Sequence, residues 1–118
     1  MGIVMAVDWY GADGQPATSD EAQRLLLAIG ERLLAQDVIH VGTEVVVVST
    51  WFTVIDQGFA QNGRPLLWQT IVSDLTTHAD IGQYTTREQA KRGHAEAVVL
   101  ISKRLRHLAT RPRGEEDP

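Results

Sequence analysis

The segment "VVVVSTWFTVI", residues 45 to 55, constrains the fold more than any other part of the chain. Its β-branched and aromatic side chains favour an extended strand. Successive side chains of a strand point to opposite faces, so Trp51 and Phe52 must lie on different sides of the sheet. Both faces are largely apolar, which is typical of a central strand that is covered on two sides or buried at an interface. The chain must therefore build a sheet around this segment and supply a cover for it.

The rest of the sequence predicts elements that can supply these neighbours. In chain order they are a strand over 3–10, a helix from the capping box of Thr18 and Glu21 to about Gln36, strands over 38–41, 45–55 and 66–74, a short edge strand near 81–84, and a helix over 87–108. This order, β-α-β-β-(β)-α, predicts an α+β fold. We expect a small, mainly antiparallel sheet of about three or four strands packed by two helices.

The chain length and composition set the domain organisation. A chain of 118 residues has the size of one domain. We expect residues 1–109 to form a single α+β domain. Residues 110–118 are polar and contain two prolines, so they are predicted to form a mobile C-terminal tail.

The second predicted helix contains a local weakness at its centre, Gly93 followed by His94. Steps of three and four residues place His94 on the apolar face of this helix. Ala90, Gly93 and Ala97 make the same half of the helix thin, which predicts a packing notch that lets the helix lie close to the sheet or receive a large aromatic side chain such as Trp51 or Trp68.

His94 itself is interpreted as a structural anchor, buried and hydrogen-bonded to the backbone. The alternative is a functional histidine, acting as a metal ligand, a base or a pH switch, with Asp56 and His78 as its candidate partners. The spacing of these three residues along the chain does not match a metal-binding motif. The structural interpretation is therefore preferred.

Several kinds of chemistry lack their sequence signals. There is no cysteine, no His-x-x-x-His pair, no Gly-x-Ser-x-Gly elbow and no glycine-rich phosphate loop. We expect no catalytic residues, no metal and no cofactor. No apolar run approaches 18 residues, and Asp8 interrupts the apolar start of the chain, so neither a membrane span nor a secretory signal is predicted. The expected location is the cytoplasm of a bacterial host.

Charge is distributed unevenly along the chain. Residues 1–83 contain three basic and ten acidic side chains, whereas residues 84–118 contain eight basic and five acidic ones. Arg92, Lys103 and Arg106 fall on the face of the second helix that points away from its apolar stripe, and they are the candidates for nucleic-acid contacts. A solvated helix face would have the same pattern.

Four aromatic residues in or beside the central strands are the candidates for binding a partner: Trp51, Phe52, Phe59 and Trp68. Because Trp51 and Phe52 cannot share a face, one of them must be exposed or meet another molecule. We expect a protein partner, and a homodimer formed through the sheet or the first helix would also satisfy this requirement.

Three stretches together span most of the chain: "YGADGQPATSDEA", "VSTWFTVIDQGFAQNGRPLLWQTIV" and "QYTTREQAKRGHAEAVVLI". They resemble a group of small uncharacterised proteins common in actinobacterial phages and prophages. The residues that match the group's pattern are Tyr10, Gly14, Pro16, Val48, Ser49, Thr50, Asp56, Phe59, Pro65, Leu66, Leu67, Trp68, Thr70, Tyr84, Thr86, Ala90, Gly93 and His94.

The chain also departs from that group. The group's Asp-His pair is Asp56-Gln57 here, and its Phe-Glu-Thr strand has Gln69 in place of the glutamate. The group has no known activity to transfer, so the resemblance implies a phage or prophage setting and not a reaction.

Taken together, these patterns favour a small, non-enzymatic phage or prophage accessory protein. It would act by binding a host or phage protein, with a homodimer as one arrangement. Two alternatives stay open at this point: nucleic-acid binding through the basic C-terminal helix, and a small metal-dependent or hydrolytic enzyme.

Overall fold

A four-stranded antiparallel sheet forms the centre of the molecule, with its strands in the order β1-β2-β3-β4. The computed structural model describes residues 9–56 and 64–110. Its elements are α1 (Ser19–Leu27), α2 (Ile29–Arg32), β1 (Leu33–Val41), β2 (Glu44–Phe52), β3 (Trp68–Ser73), β4 (His78–Tyr84) and α3 (Arg87–Ala109). The predicted α+β class is confirmed, with helices packed against an antiparallel sheet.

A two-residue turn joins β1 to β2, and the two strands pair through eight residues each. The turn consists of Gly42 and Thr43, between the paired residues Val41 and Glu44. Gly42 has φ 61°, a conformation that glycine adopts without the steric cost of a side chain. The turn therefore makes β1 and β2 a tight antiparallel hairpin.

The first helix is shorter than its sequence pattern predicted. Thr18 caps it, because the Thr18 side chain accepts a hydrogen bond from the Glu21 amide. The helix ends at Leu27, α2 adds a single turn, and the chain is extended from Leu33 onward. The prediction of a helix to about Gln36 is wrong, since pairing with β2 recruits these residues into β1.

The last helix matches its prediction closely. Thr86 is its cap, and α3 continues for 23 residues to Ala109. It crosses one face of the sheet and contacts all four strands. Under it, Ile39, Val48 and Ala97 form one cluster of the core. A second cluster lies at the end of the sheet where α1 packs: Ala22, Phe52, Val54, Leu67, Trp68 and Ala90.

The predicted N-terminal strand lies mostly outside the described residues. Its last two residues, Trp9 and Tyr10, form isolated antiparallel bridges with Ile55 and Pro16. The predicted tail is also outside the described part from residue 111 onward. None of the helices in the described ranges is long and apolar enough to cross a membrane.

Candidate functional site

The two faces of the sheet have different surroundings. Alternate residues of β2, including Val48, Thr50 and Phe52, point toward α3 and are buried. The residues between them point to the other side, which we call the open face, because α3 packs on the first face. The register assigns these residues to the open face: Gln36, Val38, His40, Val45, Val47, Ser49, Trp51, Gln69, Ile71, Ser73, His78, Asp80 and Gln83.

The open face has a mixture of apolar and neutral polar side chains and little charge. Val38 and Val45 are 53% and 41% exposed near the β1–β2 turn, and Trp51 is partly buried farther along β2. Asp80 is the one Asp, Glu, Lys or Arg among the open-face positions, which also include His40 and His78. Its carboxylate accepts hydrogen bonds of 2.8 Å from the side-chain amides of Gln69 and Gln83. A surface of this kind suits an uncharged, partly apolar partner better than an ionic one.

A rigid turn stands at one end of the open face. One carboxylate oxygen of Asp74 accepts hydrogen bonds from the backbone amides of Thr76 and Thr77, both at 2.8 Å. These amides, that of Thr76 first, hold the pKa of Asp74 below its ordinary value of 3.8. The turn presents Leu75 almost fully to solvent, at the edge of a shallow cavity of about 430 Å³ that Trp51 also lines.

The four aromatic candidates do not form one surface. Phe52 and Trp68 are 3% and 4% exposed, and their rings pack at 5.1 Å in the core. Their assignment as partner-binding residues is therefore corrected: they lie beneath α1 and α3, where no partner can reach them. Phe59 lies outside the described residues. Of the four, Trp51 alone is described on the open face, as the alternation within the strand required.

His94 lies at the centre of a buried hydrogen-bond network. The residue is 6% exposed. Its Nδ1 lies 2.7 Å from the Thr50 hydroxyl, which is 2.6 Å from the Thr70 hydroxyl, and its Nε2 lies 2.7 Å from the Asp37 carboxylate. A carboxylate only accepts, so Nε2 must carry a proton, and in the tautomer with a single ring proton Thr50 donates to Nδ1. The expected bond to the backbone is replaced by bonds to side chains of β1 and β2.

This network has the residue types of an activated hydroxyl but not its accessibility. A nucleophile needs a base within hydrogen-bond reach, which His94 provides for Thr50. Thr50 and Thr70, however, are fully buried between the sheet and α3, so a substrate cannot approach either oxygen. The arrangement fixes α3 on β1 and β2, because each buried polar group has a partner.

The alternative site of Asp56, His78 and His94 is not assembled. His78 pairs with Ser73 and lies on the open face, whereas His94 packs against the opposite face, so the sheet separates them. Asp56 accepts a hydrogen bond of 2.9 Å from the Leu66 amide. Within the ranges that the structure describes, no group of three His, Asp or Glu side chains is placed to hold a metal ion.

Gly93 forms the notch that the small residues of α3 predicted. A Cβ atom at Gly93 would overlap the ring of Tyr84, which lies on β4. A Cβ atom at Gly82 would overlap the same ring from the other side. The prediction of a notch is confirmed, but its occupant is Tyr84 and not Trp51 or Trp68.

The candidate nucleic-acid-binding residues lie on the opposite side of the sheet from Trp51. Arg92, Lys103 and Arg106 are exposed on α3, and Glu96 is exposed on the same helix. Trp51 lies on the opposite side of the sheet. Proteins that bind single-stranded nucleic acid combine a basic groove with stacking aromatic side chains on one surface. The described part of the chain keeps these two features on different sides.

Comparisons with protein-family models, with curated proteins and with solved structures find no match to this chain.

Proposed function

We propose that the protein acts by binding another protein through the open face of its sheet. The observation that supports this most directly is the exposure of Val38 and Val45, close to each other on a sheet face that α3 does not cover and that also contains Trp51. Exposed apolar side chains grouped on one surface are typical of interaction sites. The buried hydroxyls of the His94 network and the absence of a described metal cluster give no comparable support to catalysis.

The chemistry of the face defines the kind of partner. Four strands spaced about 4.8 Å apart and up to nine residues long give a surface of roughly 400 Å². A stable interface buries about 800 Å² on each partner, so the open face alone would support a transient complex. The partner should present an apolar surface with hydrogen-bonding groups and little charge. Its affinity should consequently change little with salt.

The setting follows from the resemblance and not from the fold. We propose a phage or prophage accessory protein that works without catalysis in the cytoplasm of its bacterial host. The binding surface, the burial of the Thr50 and Thr70 hydroxyls and the phage-like sequence pattern are compatible with one another. Nucleic-acid binding through Arg92, Lys103 and Arg106 is disfavoured, because Glu96 interrupts their charge and the aromatic face is remote.

Site-specific photo-crosslinking in the bacterial host tests this function. A photo-reactive phenylalanine analogue is placed at Val38 or Val45, and for the control at Leu27, an exposed leucine of α1. We expect a discrete protein adduct from the two open-face positions and none from Leu27. Equal adducts from all three positions, labelled nucleic acid in place of protein, or no adduct would each contradict the proposal.

A further inference from the structure

A groove between α3 and the edge strand β4 lies on the side of the sheet opposite the open face. Its volume is about 640 Å³. It is lined mainly by apolar residues, among them Val72, Ile81, Tyr84, Ala97, Leu100 and Ile101. Gly93 and Ala97 also line it, with Tyr84 packed against Gly93 and Ala97 buried in the core beneath α3. β4 is an edge of the sheet, which leaves this side open to a neighbour.

Leu100 stands at the rim of the groove and is 61% exposed. It also lines a second depression of about 380 Å³ on the outer side of α3, so it forms a ridge between two hollows. A protruding side chain beside a hollow is the arrangement that allows helices to pack as knobs into holes. The same surface thus contains both a protruding side chain and a hollow of the kind that can receive one.

Opposite charges flank Leu100 symmetrically. Glu96 precedes it by four residues and Arg104 follows it by four, and all three line the groove. Each charge therefore lies about 6 Å from Leu100 along the helix axis, in opposite directions. Neither Glu96 nor Arg104 makes an ion pair with another described residue.

We propose that this surface binds a second copy of the chain, with the two α3 helices antiparallel about a two-fold axis at Leu100. In that arrangement a residue at a given distance before Leu100 faces the residue at the same distance after it in the partner. Glu96 of each copy then faces Arg104 of the other, which gives two opposite-charge contacts around a central pair of leucines. Leu100 of each copy packs in or beside the groove of its neighbour.

Charge complementarity is the reason to choose a second copy as the occupant. Although α3 as a whole is basic, an antiparallel second copy places Arg104 of each chain opposite Glu96 of the other. The Glu96–Leu100–Arg104 pattern is complementary to its own reverse, so a second copy supplies both opposite charges at the right spacing. This inference is independent of protein binding through the open face, since the two surfaces lie on opposite sides of the sheet.

Sedimentation velocity tests the proposal on the full chain. We expect the wild type to sediment at twice the chain mass of 13.0 kDa. Leu100→Glu should weaken the dimer by about tenfold or more, since it places a charge at the centre of the contact. Leu27→Glu, at an exposed leucine of α1, is the matched control and should leave the dimer intact.

A charge-swap experiment tests the register. Glu96→Arg alone and Arg104→Glu alone should each weaken the dimer, because each places like charges opposite each other. The double variant Glu96→Arg/Arg104→Glu should restore it, with circular dichroism confirming that all variants are folded. A monomeric wild type, an unaffected Leu100→Glu variant, or a double variant as weak as the single ones would overturn the proposal. If the open-face crosslinks were absent while the chain still sedimented as a dimer, the proposed function would be refuted and the dimer proposal would stand.

Discussion

Replacing Gly93 by alanine tests the notch in α3 that holds Tyr84. Glycine within a helix costs about 1 kcal/mol relative to alanine, so the helix alone would gain that amount from Gly93→Ala. The added Cβ atom, however, overlaps the Tyr84 ring, which Gly82 confines on its other side. Overpacking of this kind costs about 1–3 kcal/mol. The net result should be a destabilisation of about 1 kcal/mol.

Gly30→Ala provides the matched control. Gly30 is also helical, in α2, but a Cβ atom there would have no neighbour within 4 Å among the atoms of the structure. This substitution should leave stability unchanged or raise it by up to about 1 kcal/mol. For a chain of this length, 1 kcal/mol corresponds to a change in Tm of about 4 °C. The two alanine variants should therefore shift the Tm in opposite directions, or at least by clearly different amounts.

A double-mutant cycle then isolates the contact. With Tyr84→Ala as background, Gly93→Ala no longer meets the ring and should stabilise the protein by about 1 kcal/mol. The coupling energy between positions 84 and 93 should thus be about 2 kcal/mol, measured by urea unfolding. If Gly93→Ala stabilised the wild type as Gly30→Ala does, or if its cost persisted without Tyr84, the packing argument would be refuted.

Three further substitutions test other parts of the structure. Thr50→Val should cost about 1–3 kcal/mol in urea unfolding, because it leaves Nδ1 of the buried His94 without a donor; a change within error of zero would contradict the network. The lowered pKa of Asp74 means that its carboxylate stabilises the fold above about pH 3.8 and that this contribution is lost as the pH falls through the lowered pKa. The stability difference between wild type and Asp74→Asn should accordingly narrow in acid, and a constant difference would refute the assignment. Gly42→Ala should lower the Tm by about 4 °C, since a side chain at φ 61° costs about 1 kcal/mol; an unchanged Tm in a thermal scan would argue against this turn.

Local signals in the sequence were sufficient to predict the most clearly patterned secondary-structure elements. The β-branched run in β2 and the cap at Thr86 each specify an element through residues close in the chain. The segment from Leu33 to Gln36 is different, because its leucines continue the helical spacing of α1. Pairing with β2 decides its conformation, and that pairing is a tertiary interaction that periodicity does not contain.

The candidate sites also combine features that local sequence signals indicated with features that only tertiary contacts decide. Small residues in α3 indicated a notch near Gly93, but only the register of β4 places Tyr84 in it. Thr50 and Asp37 are 44 and 57 residues from His94 along the chain, so its hydrogen bonds could not be read from spacing. Val54, buried with φ 68°, has no sequence signal, since β-branched residues rarely adopt this conformation.

The affinity of the open face for its crosslinked partner tests the central proposal most directly. The partner is purified, and its binding to the wild type is compared with binding to Val38→Lys/Val45→Lys and to Leu27→Lys by calorimetry at low and high salt. All three substituted side chains are exposed, so the variants should fold. We expect the open-face variant to bind about tenfold or more weakly, the Leu27 variant to bind normally, and salt to have little effect. Equal affinity of all three proteins, or binding that salt abolishes, would contradict recognition through the open face.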